Sequence, residues 1–330
     1  MNQTLQRGFR FFKDWSLPFD MLFGVLSFFI LDAWVESPRA RGILLETAST
    51  LQPVLLFGML FIAFCKIAPS DIRPRPWHLW YALLQTGVYC LLAAAVCLLP
   101  LDENGVVLAE SAMVAFVCPT ATAATVITER LKGDSAMVVT YTLLINLLCS
   151  LVIPAVVPFL HPAQGMGFWQ AFGCIIAKVF PLLVFPLLAA WAIRRYRRRW
   201  LHYIYQVPNL AFYFWLVSLY LCMVITTRIL MRSGVGVGLV AGMAAVTLAA
   251  CLLQFWLGRA VAKRYAGDDP ARVVAGGQLL GQKNTAFMIW MGYTFMNPVT
   301  AVAGGFYSIW HNMINSLQLA RFRKSQAGKA

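Results

Sequence analysis

The sequence predicts an all-α polytopic membrane protein. Of its 330 residues, 60% are hydrophobic and only 12% are charged, whereas soluble domains carry about 25% charged and about 45–50% apolar residues. Apolar stretches of about 20 residues, the length that crosses a hydrocarbon core of about 30 Å, recur along the whole chain. No soluble domain is left over, so residues 1–330 are expected to form a single transmembrane domain. The first apolar run is expected to be a retained helix, because no small-residue cleavage site follows it.

Ten transmembrane helices are expected, eight continuous and two broken. The continuous ones are uninterrupted apolar runs, at 17–34, 43–65, 77–99, 135–160, 167–193, 207–227, 235–257 and 299–320. The fourth helix, 106–132, is broken by Pro119 near its centre. The ninth, 271–297, is broken where Gly281 precedes the polar run Gln282, Lys283 and Asn284.

The basic charge is distributed as membrane topology requires. The net charge is +14, and most of the 27 lysines and arginines fall on one side of the predicted helices, with the densest run, RRYRRR, at 194–199. The opposite side holds only Arg39, Arg41, Arg228 and Arg232. By the positive-inside rule both termini are cytoplasmic. The charge therefore indicates topology and contact with anionic membrane lipid, with no need for a nucleic-acid partner.

The ten helices divide into two sets of five, about 1–160 and about 165–324. An odd number of helices in each half turns the second half upside down, as in inverted-repeat transporters. The two breaks lie about half a chain apart, and paired breaks of this kind indicate a binding site at mid-membrane. Each second half-helix would begin there with a positive dipole end, which suits an anion. The alternative is that Pro119 and Gly281 only kink packed helices.

Four motifs carry a family resemblance along nearly the full chain. They are LLFGMLFIAFCKIAPSDIR (55–73), CPTATAATVITERLKGD (118–134), GQKNTAF (281–287) and AVAGGFYSIWHNMINSL (301–317). In this order and spacing they resemble the second, fourth, ninth and tenth helices of the bile acid:sodium symporter family. The resemblance implies a panel domain (helices 1, 2, 6 and 7), a core domain (helices 3–5 and 8–10) and transport of organic anions with sodium. It also implies four substrate-facing residues, Thr122, Asn284, His311 and Asn312. For His311 and Asn312 the alternative is a hydrogen bond within the helix bundle.

The expected sodium ligands are where the chain departs from that family. The Ser-Asn pair of the fourth helix falls on Ala124 and Thr125, and a serine of the fifth helix falls on Val138. The glutamate of the ninth helix falls on Leu279, and its glutamine falls on Lys283. These losses put both sodium sites in doubt, and no other cofactor or metal is expected. The candidate residues of the coupling site are Lys283, Thr125, Thr142 and Gln85.

Lys283 is the main functional hypothesis, because an ammonium inside an apolar span costs about 2.5–3.5 kcal/mol. Two sodium ions and one glutamate give the same net charge as one lysine without a glutamate. We therefore expect Lys283 to stand where relatives hold sodium, binding the carbonyls of the broken helices. Because burial disfavours a charged amine, Lys283 could instead load and release a proton. It could also pair directly with an anionic substrate, or extend to an interface or a water-filled crevice.

These observations predict a secondary active transporter of an organic anion, bile-salt-like or a small carboxylate. It would work by alternating access in the bacterial inner membrane, independently of sodium or coupled to protons. The alternatives are a sodium-coupled symporter with a reduced site and a non-transporting membrane sensor. Neither an enzyme nor an obligate protein partner is expected, since no nucleophile–base pair, HExxH or GxSxG occurs. The eight single cysteines are expected to fill helix contacts, and Glu110 and Glu129 to be solvated.

Overall fold

The chain folds almost entirely into α-helices. The computed structural model describes residues 16–34, 37–67, 72–162, 165–207, 210–265, 267 and 269–327, and these ranges contain no β-strand beyond one isolated bridge. The helices are α1 (Ser16–Trp34), α2 (Pro38–Cys65), α3 (Pro76–Leu98), α4 (Glu103–Val117), α5 (Ala123–Arg130), α6 (Ser135–Leu160), α7 (Phe168–Tyr196), α8 (Arg198–Gln206), α9 (Leu210–Arg232), α10 (Val237–Tyr265), α11 (Pro270–Gly281), α12 (Thr285–Phe295) and α13 (Ala301–Ala327). A 3₁₀ turn, Pro298–Thr300, precedes α13.

Six of these helices contain a stretch long and apolar enough to cross a membrane. Within the described ranges they are Glu46–Cys65, Pro76–Leu98, Ser135–Leu160, Phe168–Tyr196, Tyr213–Arg232 and Val237–Tyr265. The protein is therefore an all-α membrane protein. The two segments predicted to be broken appear as pairs of short helices, α4 with α5 and α11 with α12. The longest of these four has 15 residues, fewer than the about 20 of a continuous span.

Aspartates fix where several of the helices begin. An N-cap side chain accepts a hydrogen bond from one of the first free backbone amides of the helix. Three caps have this form: Asp102 accepts from the Gly105 amide, Asp134 from the Met137 amide and Asp269 from the Ala271 amide, each over 3.0 Å. The caps fix the first residues of α4, α6 and α11. Two of these helices, α4 and α11, are the first halves of the broken segments.

The short helix α8 was not predicted, because the run of arginines before it resembles a loop. Its Leu201 is buried, and its Tyr205 hydroxyl donates to the Cys65 carbonyl over 2.7 Å. Arg194, at the end of α7, donates to the same carbonyl over 2.7 Å and to the Ile67 carbonyl over 2.9 Å. The basic segment thus folds back and caps the carbonyl end of α2.

The helices pack in two groups, which α6 joins by packing against both α7 and α3. In the first, α9 packs against α1 and α2, and α2 packs against α7. In the second, α10 packs against α4, α11 and α13, and α3 packs against α4. Helices α10 and α11 approach most closely at Gly258 and Gly276, where a Cβ on either glycine would collide with the carbonyl oxygen of the other.

Candidate functional site

Two short non-helical segments cross in the second helix group. The first, residues 118–122, joins α4 to α5, and the second, residues 282–284, joins α11 to α12. Thr120 and Lys283 pair as an antiparallel β-bridge. Backbone hydrogen bonds run from the Ala121 amide to the Gln282 carbonyl (3.0 Å) and from the Asn284 amide to the Pro119 carbonyl (2.9 Å). We call these two segments the crossing.

Local sequence explains both breaks. A residue before proline avoids the helical region, and Cys118, which precedes Pro119, is extended at φ −55° and ψ 134°. On the other segment, the Asn284 side chain accepts from the Phe287 amide over 3.2 Å and so begins a new helix. The breaks therefore lie where the sequence predicts them.

Side chains from distant helices satisfy the carbonyl end of α4 at the crossing. The last carbonyls of an α-helix have no partner within that helix. Three donors supply partners here: Gln254 Nε2 to the Ala115 carbonyl (3.0 Å), Lys283 Nζ to the Phe116 carbonyl (3.0 Å) and Gln85 Nε2 to the Val117 carbonyl (3.1 Å). They come from α10, from the crossing and from α3, so this helix end is held from three sides.

Lys283 is a fully buried amine at a negative helix end. Its side chain is 0% exposed, so it does not reach an interface as the snorkelling alternative requires. The C-terminus of a helix carries a partial negative charge of about half a unit, which favours an ammonium. Leu279, on which the family resemblance places a glutamate, is buried and apolar. No group of three His, Cys, Asp or Glu side chains suited to a metal occurs in the described part of the chain.

The carbonyl end of α11 is satisfied in a similar way. The Thr120 hydroxyl donates to the Leu279 carbonyl over 2.7 Å, and the Tyr307 hydroxyl donates to the Gly281 carbonyl over 3.0 Å. Gln254 then donates to the Tyr307 hydroxyl over 3.1 Å, which links the two helix ends. Neither Gln254 nor Tyr307 was identified from the sequence, although a glutamine within an apolar span is itself a signal of a buried polar role.

The other coupling candidates occupy different positions. Gln85 lies at the crossing, where its amide also donates to the Cys118 carbonyl over 3.0 Å and its oxygen accepts from the Tyr141 hydroxyl over 3.0 Å. Thr142 is buried on α6 and donates to the Val138 carbonyl of its own helix over 2.8 Å. Thr125 lies on α5 and is half-buried. Among these residues, Gln85 and Lys283 bind the same helix end.

Two of the four substrate candidates lie at the starts of α5 and α12, and the other two lie on α13. Thr122 is the N-cap residue of α5 and is half-buried, and Asn284 is the N-cap residue of α12. Asn312 is half-buried and donates to the Ser308 carbonyl of its own helix over 2.8 Å. His311 is buried, its ring lies 5.7 Å from that of Tyr307, and neither ring nitrogen has a partner among the described residues. The structure therefore leaves His311 with unused hydrogen-bonding capacity.

Glu110 is not solvated as the sequence suggested. It is fully buried on α4, and its carboxylate accepts from three elements of the fold. The donors are His161 Nε2 (2.6 Å), the Asn297 amide (3.2 Å) and the Thr300 hydroxyl (2.6 Å). His161 follows α6, and Asn297 and Thr300 precede α13. Glu110 therefore connects α4 to these two segments, at the end of α4 opposite to its carbonyl end.

The remaining intramembrane lysine lies apart from the crossing. Lys178 Nζ lies 5.9 Å from the centre of the Phe295 ring, in the range of a cation–π contact. Asp32 on α1 pairs with Arg232 over 3.2 Å.

Comparison of the whole chain with protein-family models finds no match, and comparison with curated proteins also finds none.

Proposed function

We propose that the protein is a secondary active transporter of an organic anion in which the Lys283 ammonium replaces a coupling sodium ion. The hydrogen bond from Lys283 Nζ to the Phe116 carbonyl carries this proposal. A buried cation bound to the free carbonyls of a broken helix does the electrostatic work of a metal ion at the same place. Because the lysine is covalently attached, its amine stays with the protein throughout the transport cycle, whether it keeps its proton or carries one across.

The architecture supports a transporter of the bile acid:sodium symporter type. We interpret α4 with α5 and α11 with α12 as the broken fourth and ninth of ten spans, arranged as two inverted five-helix repeats. In this interpretation α1, α2, α7 and α9 form the panel and the second helix group forms the core. The packing of α9 and α7 against α2, separate from the packing around α10, is consistent with this division.

The substrate site is proposed on the side of the crossing where the new half-helices begin. Helix N-termini favour anions through free amides and a positive dipole. Thr122 and Asn284 occupy two such termini, and Asn312 is a further candidate, with a half-buried amide on α13. The substrate class that fits is a bile-salt-like or small carboxylate, and membrane lipid is the only other partner proposed.

We further propose that the protein resides in the bacterial inner membrane with both termini in the cytoplasm. The bias of lysine and arginine toward one side supports this orientation. On that side α8 carries Arg198 and Arg199 next to the exposed Trp200, a combination suited to an anionic lipid surface.

Uptake into proteoliposomes tests the proposal directly. Purified protein is reconstituted, and entry of labelled bile salts and small carboxylates is measured with sodium on both sides, on neither side, and with a proton gradient alone. We expect uptake without sodium. Strict sodium dependence would instead support the sodium-coupled alternative, and binding without any uptake would support a sensor.

Substitution at Lys283 sharpens the same experiment. Lys283→Gln removes the charge and should abolish uptake, with a sodium effect returning only when Leu279→Glu is added to it. Lys178→Gln removes the other intramembrane lysine and is the matched control. Wild-type uptake in Lys283→Gln would contradict the proposal.

A further inference from the structure

A cavity of about 470 Å³ lies between α2, α9, α12 and the 3₁₀ turn. Ile225, Ile229 and Val299 give it apolar walls, while Arg228, Arg232 and Glu46 supply charges. Small-molecule sites typically have volumes of about 300–1,000 Å³ and combine apolar walls with a few polar groups. No residue of the crossing lines this cavity, so it is distinct from the site described above. We call it the α9 cavity.

The two arginines of the α9 cavity differ in their hydrogen-bonding partners. They lie one turn apart on α9. Arg232 forms an ion pair with Asp32 over 3.2 Å, whereas Arg228 makes no hydrogen bond or ion pair within the described part of the chain. A guanidinium matches a carboxylate with two parallel hydrogen bonds. Arg228 is therefore the group in the cavity that suits an incoming carboxylate.

Glu46 places a carboxylate on the α2 wall of the same cavity. Because like charges repel, we expect a bound molecule to hold its carboxylate at Arg228 and to carry no second one near Glu46. A molecule with one carboxylate and an apolar skeleton satisfies Arg228 and the isoleucine walls together. A dicarboxylate brings a second charge toward Glu46.

One wall of the cavity belongs to α12, the helix that begins at the crossing. Tyr293, on its α12 wall, follows Thr285 by eight residues, which is about 12 Å along a helix. The cavity also lies between α2 and α9 of the first helix group and α12 of the second. Under the orientation proposed above, it faces the outside of the cell.

We propose that the α9 cavity is an entry subsite for amphipathic monocarboxylates, in which Arg228 binds the carboxylate and Ile225, Ile229 and Val299 contact the hydrocarbon skeleton. This proposal rests on the proposed function, because it names the class of anion that enters and where it is first bound.

Calorimetric titration of the full chain in non-ionic detergent tests the subsite without requiring transport. The probes are octanoate and suberate, which share an eight-carbon skeleton and carry one and two carboxylates, and each is corrected by a blank titration into detergent. We expect Arg228→Gln to weaken octanoate binding about tenfold or more. Arg232→Gln, on the same helix and lining the same cavity, should change it by about threefold or less, since an exposed ion pair contributes little. Equal losses in the two variants, or no octanoate binding by the wild type, would overturn the proposal.

Two further readouts complete the test. Glu46→Gln should raise suberate affinity relative to octanoate, and an unchanged ratio would contradict the preference for one carboxylate. In proteoliposomes, Arg228→Gln should raise the KM for octanoate uptake. If octanoate binds through Arg228 and no anion is transported, the transporter proposal fails and the subsite stands. If uptake proceeds with an unchanged KM in Arg228→Gln, the subsite fails and the transporter stands.

Discussion

Lys283 Nζ lies 3.0 Å from the carbonyl oxygen of Phe116, so a side chain from the second half of the chain completes a helix from the first. The bond satisfies a buried acceptor and, under the function proposed above, it also fixes a positive charge. Substitutions at this one position can separate the two.

Lys283→Met and Lys283→Gln are expected to differ in stability and to agree in function. Glutamine keeps a donor for the Phe116 carbonyl, whereas methionine leaves it unsatisfied at about 1–3 kcal/mol. Thermal unfolding in detergent should therefore rank the methionine variant below the glutamine variant. Both lose the charge, so neither should transport. A glutamine variant no more stable than the methionine variant would show that the hydrogen bond is unimportant.

Gln85→Leu is expected to destabilise the protein more than Tyr141→Phe. The leucine removes the Gln85 donor from the carbonyls of Val117 and Cys118 and leaves Val117 with the weak Cys149 thiol donor alone, at about 2–4 kcal/mol in total. Tyr141→Phe leaves only the Gln85 oxygen without a donor and keeps both carbonyl contacts. Denaturation followed by intrinsic fluorescence measures the two losses. Similar losses in both variants would contradict a role for Gln85 at the helix end.

Glu110→Gln is expected to destabilise the protein by about 2–4 kcal/mol. The Glu110 carboxylate accepts from His161, Asn297 and Thr300, and hydrogen bonds to an ionised acceptor are stronger than those to the neutral amide that replaces it. Glu103→Gln is the control, because Glu103 lies on the same helix and is exposed. Thermal unfolding of both variants checks the difference, and an equal change in the two would exclude a structural role for Glu110.

Gly258→Ala is expected to separate α10 from α11. The added methyl group would collide with the Gly276 carbonyl oxygen, and overpacking of this kind costs about 1–3 kcal/mol. Gly238→Ala, on the same helix, meets no atom within 4 Å and should be neutral or slightly stabilising, because alanine favours helix over glycine by about 1 kcal/mol. The yield of folded protein and its unfolding temperature measure both effects. A normal unfolding temperature for Gly258→Ala would contradict the close approach.

The sequence predicts the parts of the site that have a local cause. Pro119 restricts the residue before it, and Asn284 ahead of apolar residues caps a helix, so the positions of both breaks follow from short stretches. Partners distant in the chain have no such signature. The contacts of Gln254 with Ala115 and Tyr307 join residues 139 and 53 positions apart. The burial of Glu110 likewise depends on loops that only the fold brings to it.

The dependence of α4 on Lys283 has a consequence for biosynthesis. Phe116 and Lys283 are 167 residues apart in the chain, and ribosomes add about 5–20 residues per second, so roughly 8–33 s separate the synthesis of the acceptor from that of its donor. During this interval the Phe116 carbonyl of the nascent α4 lacks its later side-chain donor. Lipid cannot satisfy that carbonyl, so we expect translocon, water or a chaperone to shield it until Lys283 arrives.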